Sequence, residues 1–172
     1  MLSEKMQAAM NNQINAELYS AYIYASMSAY FADKNLNGFA NWMRIQAQEE
    51  MTHAMKFYDF IIERRGRVLL QPLEGVPTEW DGPLAVFENA LAHEQKITGM
   101  INDLVNLAKK EKDHAADSFL QWFVDEQVEE ESNADDIVQQ LKLMGDSGAA
   151  LFMFDRELGT RVFVPPAAEG GE

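Results

Sequence analysis

The sequence predicts an all-α four-helix bundle with one long crossover and a short fifth helix, and three observations lead there. Proline is absent from residues 1–71 and occurs only at positions 72, 77, 83, 165 and 166. Glycine marks the same breaks, at Gly38, at Gly66, Gly75 and Gly82, and at Gly145 and Gly148. Between these punctuators, apolar residues recur every three or four positions, the period of a helix with one buried stripe.

Helix α1 is expected over 4–33, with Ser3 as its N-cap and Met10, Glu17, Tyr24 and Phe31 at seven-residue steps. Helix α2 is expected over 37–64, with the stripe Phe39, Met43, Gln46, Glu50, His53, Phe57 and Phe60. Helix α3, over 83–110 and capped by Asp81, carries Leu84, Phe87, Leu91, Glu94, Ile101 and Val105, with Thr98 between them. Helix α4, over 114–143 and capped by Asp113, carries Leu120, Phe123, Gln127, Glu130, Ala134, Ile137 and Leu141. A short oxygen acceptor at each cap can satisfy free backbone N–H groups of the first turn. A short helix α5 follows near 147–157.

The α1–α2 and α3–α4 links are short, so each pair is an antiparallel hairpin. The link from Gly66 to Gly82 is far longer. A helix of about 28 residues is about 42 Å long, a distance that an extended link of about 17 residues can cross. The domain is therefore read as 1–158. Residues 159–172 form a tail expected to be flexible, and Pro165 to Glu172 is expected to be extended or disordered.

A chain of 172 residues is long enough for one sizeable core. It contains no cysteine, which excludes disulfides, thiolate metal sites and cysteine nucleophiles. A net charge of −14 argues against nucleic-acid binding, which needs a basic footprint. No apolar run approaches the roughly 20 residues of a bilayer span, and the first residues lack a secretory pattern. A cytoplasmic protein without membrane contact is the expectation.

The chemistry sits where the four stripes turn polar. Glu50 and His53 are three residues apart on α2, so both can face one metal ion. Glu17, Glu94, Gln127 and Glu130 interrupt the other stripes at matching depth. Taken singly, Glu17 or Glu94 reads equally well as a seam-edge acid reaching water. Jointly they would repel one another in a core unless protonated or neutralised by cations. The stripes near these acids carry no Lys or Arg, so a metal pair is the economical solution. Oxygen-rich ligation with one imidazole suits iron or manganese better than zinc. Tyr24, one heptad after Glu17, is read as a core aromatic, a hydrogen-bond donor or an electron source beside the metals. His93 and His114 are read as surface residues, Trp42 and Trp122 as packing residues.

Two hairpins joined by one long crossover are the arrangement of ferritin-like bundles. The sequence resembles the non-haem ferritins of bacteria and archaea over nearly its whole length. The resemblance rests on Asn15-Ala16-Glu17-Leu18-Tyr19-Ser20, on Gln48-Glu49-Glu50-Met51-Thr52-His53-Ala54, and on Phe119-Leu120-Gln121-Trp122 leading to Glu126-Gln127-Val128-Glu129-Glu130-Glu131. It implies that Glu17, Glu50 and His53 bind a first iron, and that Glu50, Glu94 and Glu130 bind a second. It implies that Gln127 lies on the oxygen-binding side and that Glu49, Glu126 and Glu129, with Glu130, form a third iron site. Tyr24 matches the family's tyrosine beside the iron pair. Bacterioferritins carry a second Glu-x-x-His where this chain has Gln127-x-x-Glu130, and their haem-ligating methionine would fall near Thr52, so no haem is expected.

The resemblance implies ferroxidase activity, oxidation of iron(II) by dioxygen or peroxide, and storage of iron(III) mineral in a homo-oligomeric cage of 24 subunits. The rival reading is a diiron oxidase or peroxidase of small oligomeric state that stores nothing. A metal-free structural bundle is the third.

Overall fold

A computed structural model describes residues 1–165; the expectation for Pro166 to Glu172 lies outside the described residues. Among the described residues five helices follow one another: α1 (Glu4–Asp33), α2 (Asn37–Glu63), α3 (Pro83–Glu111), α4 (His114–Met144) and α5 (Gly148–Leu158). Each boundary falls within a residue or so of the expected one. The all-α bundle with one long crossover and a short fifth helix is the architecture the sequence predicts.

The caps explain the starts. Ser3 Oγ accepts from the Met6 N–H, and Asp113 accepts from the Ala116 N–H at 3.1 Å. Asp81 does not cap α3, contrary to expectation. Gly82 holds that place at φ 113°, a left-handed conformation few other residues adopt, and Pro83 starts the helix.

The α2 start has no cap of its own, because Leu36 offers no oxygen. Instead Asp155 reaches over from α5 and accepts from the Gly38 and Phe39 N–H groups at 2.8 and 3.1 Å. A carboxylate at a helix N-terminus also complements the macrodipole. The approach is so close that a Cβ on Gly38 would sit 1.5 Å from the Asp155 carbonyl oxygen. Only glycine fits there.

Residues 64–82 run alongside α1 in the same direction. Gln7 accepts from the Arg67 N–H, and Asn11 accepts from the Leu69 N–H. Farther on, Ser26 donates to the Pro77 carbonyl and Tyr30 to the Trp80 carbonyl. Side chains of α1 thus satisfy backbone groups of a link that has no ladder of its own.

Two apolar clusters fill the bundle. The one beneath α5 gathers Met27, Phe31, Phe39, Met43, Phe87, Ile137 and Phe154. The other, toward the opposite end, gathers Met6, Met10, Phe57, Ile61, Ile101, Leu120 and Phe123. Phe57 stacks on Phe123 with centroids 4.2 Å apart. Phe60, Leu84 and Leu91, expected on the stripes, are only partly buried, while Ile61, Val86 and Ala90 lie deeper. A strict seven-residue repeat drifts around a 3.6-residue helix, which accounts for the shift. Between the clusters lies a buried polar layer.

Candidate metal centre

Six of the residues singled out on the stripes meet in that layer. Glu17 comes from α1, Glu50 and His53 from α2, Glu94 from α3, and Gln127 and Glu130 from α4. All are at most 5% exposed. Ligand atoms of Glu17, Glu50 and His53 lie within 4.8 Å of one another. His53 Nδ1 is 3.3 Å from Glu50 Oε2, and its Nε2 is 3.7 Å from Glu126 Oε1. A second group, within the same span, joins His53, Glu126 and Glu130. His53 therefore stands between two acid clusters, with one ring nitrogen toward each.

Amides and hydroxyls hold the carboxylates in place. Gln13 donates to Glu17 at 2.8 Å, and Gln46 donates to Glu130 at 2.5 Å and to Glu50 at 3.4 Å. Tyr24 donates its hydroxyl proton to Glu94. Gln127 donates to Glu94 Oε2 at 3.2 Å and to Thr98 Oγ1 at 3.3 Å. Glu94 belongs to neither three-ligand group; Tyr24 and Gln127 bracket it. Glu17 Oε2 is buried without any hydrogen-bond partner. A buried, unpartnered carboxylate oxygen among other acids can serve as a metal ligand, and the donor set fits a hard cation.

Electrostatics point the same way. Burial raises the carboxyls of Glu17, Glu50, Glu94 and Glu130 above their ordinary range; neighbouring carboxylates add to this, most clearly Glu50 on Glu17 and on Glu130. Burial and then Glu94 raise the Tyr24 phenol. For His53, burial alone would favour the neutral ring, but Glu126, Glu17 and Glu130 outweigh it and raise the imidazole. Such a layer of like charges favours protons in the absence of a metal, and a cation can replace them.

The remaining expected ligands are placed differently from one another. Glu126 faces His53 and is partly exposed. Glu129 is exposed and belongs to neither group. Glu49 is taken by a residue that the stripes did not reveal. Arg161 Nη2 lies 2.5 Å from its Oε2. The stripes themselves carry no Lys or Arg near the acids, as read from the sequence; Arg161 reaches Glu49 from beyond α5, outside the stripes.

His93 is also not the surface residue expected. It is buried, its Nε2 is 2.7 Å from Ser20 Oγ, and its ring meets Tyr24 edge-on at 6.4 Å. Burial, with Lys96 nearby, lowers it to about 4, so it stays neutral. A second stripe on α3, Val86, Ala90, His93 and Ile97, was the signal available for it. His114 is exposed as expected. Trp42 packs on Phe87 at 5.2 Å, and Trp122 meets the His53 ring edge-on at 5.4 Å.

Comparison with known proteins agrees with this fold. Residues 7–144 match the model of the ferritin-like domain. A bacterial non-heme ferritin of Bacteroides fragilis is 47% identical over 161 residues, covering 94% of this chain and all of that protein. One from Staphylococcus saprophyticus is 40% identical over 163 residues, covering 95% of this chain and 98% of its own. The open-pore ferritin of the hyperthermophilic archaeon Archaeoglobus fulgidus superposes with a TM-score of 0.93 at 55% identity, over 94% of this chain and 98% of its own. No described helix is long and apolar enough to cross a membrane. The stripes and the long crossover thus agree with these relatives in fold, and the chain belongs to the ferritin-like family, among the non-haem ferritins of bacteria and archaea.

Proposed function

We propose that this chain oxidises iron(II) at a two-iron site inside each bundle and stores the iron(III) as a hydrated oxide within a homo-oligomeric cage of 24 subunits. Membership of the ferritins supports iron storage with iron oxidation in general terms. The observation that carries the finer reading is the buried layer of four carboxylates around His53, with Glu17 Oε2 lacking any partner.

In this reading Glu17, Glu50 and His53 take the first iron, and Glu50, Glu94 and Glu130 the second. A third iron binds beside them through Glu126 and Glu130, with Glu49 and Glu129 supplying further oxygens. Two iron(II) ions give two electrons to one dioxygen, and two protons complete its conversion to peroxide. Holding both metals in one dry pocket lets the electrons leave together. The carboxyls held protonated by burial give up their protons as iron arrives, so binding releases protons before any oxidation. Gln127 and Tyr24 keep Glu94 oriented, and Tyr24 stands ready as an electron donor.

Helix α5 favours the cage over a small oxidase. It buries Phe154 and Leu158 against the bundle yet leaves Phe152 and Met153 exposed, as are Val162 and Val164 beyond it. An apolar surface of this kind suits contact with other subunits. The test is iron(II) oxidation in air by the wild type and by Glu50→Ala/His53→Ala. The double variant keeps its helical spectrum and oxidises iron no faster than buffer. Rapid oxidation by that variant overturns the site, and a sedimenting mass of one or two subunits overturns the cage.

A further inference from the structure

We infer that Arg161, in the segment after α5, is a positioning residue of the iron centre that acts through Gln46. The inference rests on the proposed two-metal site. The Arg161 guanidinium lies over the Trp42 ring, 4.5 Å from its centroid. From there it divides its donors. Nη1 donates to Gln46 Oε1 at 3.0 Å and Nη2 donates to Glu49 Oε2 at 2.5 Å. On the other side of the same amide, Gln46 Nε2 donates to Glu130 and Glu50.

A carboxamide has one oxygen and one N–H₂ end, so fixing one fixes the other. Gln46 is fully buried and cannot turn to water. Were it flipped, its oxygen would face two carboxylates and its N–H₂ would face a guanidinium that has only donors. Arginine stays charged under all ordinary conditions, and its rigid fork serves two acceptors at once. Arg161 therefore sets the direction of the Gln46 amide, and the amide holds Glu50 and Glu130 where they share the metals.

The same fork also holds the Glu49 carboxylate, through Oε2. The segment carrying Arg161 is itself tied to α2, because Asn41 Nδ2 donates to the Arg161 carbonyl at 3.0 Å. The docking of α5 through Asp155 and Gly38 brings this segment to the centre. A residue outside the four helices thus reaches the metal ligands through one amide.

The experiment is anaerobic calorimetric titration of the assembled protein with Zn(II), a redox-silent probe, comparing wild type, Arg161→Gln, Arg161→Lys, Gln46→Met and Arg161→Gln/Gln46→Met. Loss of a charge-assisted hydrogen bond predicts about 10-fold weaker binding at the inner pair in Arg161→Gln. Arg161→Lys, which keeps the charge but not the fork, falls between the two. Gln46→Met matches Arg161→Gln, and the double variant is no worse than either single, because both break one connection. Equal affinity in wild type, Arg161→Gln and Arg161→Lys overturns the inference, as do additive losses in the double variant. Absence of binding by the wild type would instead sink the two-metal site. Thermal midpoints and cage mass, measured in parallel, separate misfolding from loss of positioning.

Discussion

The two apolar clusters and the polar layer between them occupy the same bundle and obey opposite rules. Around Phe57 or Phe39, every side chain adds stability by leaving water and packing on its neighbours. In the layer of Glu17, Glu50, Glu94 and Glu130, burial works against the charged groups, and each carboxylate raises the next. Exchange of any one of these acids for a neutral residue of like size relieves the metal-free protein. The comparison teaches that the clusters hold the helices together while the layer spends part of that stability on keeping four acids and an imidazole side by side.

The largest effect expected from breaking this contrast is in the apolar half. Phe57 is fully buried and stacked on Phe123. Its replacement by alanine leaves a cavity and costs about 3–5 kcal/mol, read as a lower denaturation midpoint in urea. A loss below about 1 kcal/mol would mean the cluster collapses freely and is not the main source of stability.

Next comes the joint between α5 and α2. Gly38→Ala places a methyl against the Asp155 backbone. The clash costs about 1–3 kcal/mol as α5 is pushed off, and the cap on α2 is lost with it. Limited proteolysis after Met144 should accelerate in this variant. Unchanged proteolysis would show that α5 tolerates a shift along α2.

How much of this was legible in the sequence follows from the range of each interaction. The stripes were readable because seven-residue steps such as Met10, Glu17, Tyr24 and Phe31 depend only on the helix period. That the acids in them would meet was readable because four seams of similar length align their middles. Asp155 capping α2 was not readable, since the partners lie on different helices and Leu36 gives no hint of a missing cap. Arg161 was hidden for the same reason, 112 residues from Glu49. His93 was not legible as buried because it lies on a second inward-facing stripe of α3, one position away from the stripe through Glu94. Periodicity within an element is local; contacts between elements are not.

The polar layer predicts a smaller effect of opposite sign. Glu50→Gln removes one buried acid while keeping its shape and its contact with Gln46. In the metal-free protein this raises stability by about 1–3 kcal/mol near neutral pH. The same variant should lose rapid iron(II) oxidation. A metal-free Glu50→Gln protein that is less stable than wild type would show that the Glu50 carboxylate is already neutralised by protein groups.

The size of that gain must itself depend on pH, and this is the finest test of the comparison. The carboxyl of Glu50 is raised above its ordinary value of 4.5, so the folded metal-free chain holds this proton more tightly than the unfolded one. A group of this kind contributes fully to stability below the unfolded value, and the contribution is lost as pH rises toward the folded value. Below 4.5 both wild type and Glu50→Gln are neutral at this position, and their stabilities converge. Above it the unfolded wild type ionises while the folded one resists, so the advantage of the variant grows until the folded group also ionises. Phe57→Ala, which removes no titrating group, should show a constant deficit across the same range. Urea midpoints of the three metal-free proteins, measured at several pH values, decide the matter. A gap between wild type and Glu50→Gln that does not widen with pH would place the cost of the layer in its shape and not in its charge.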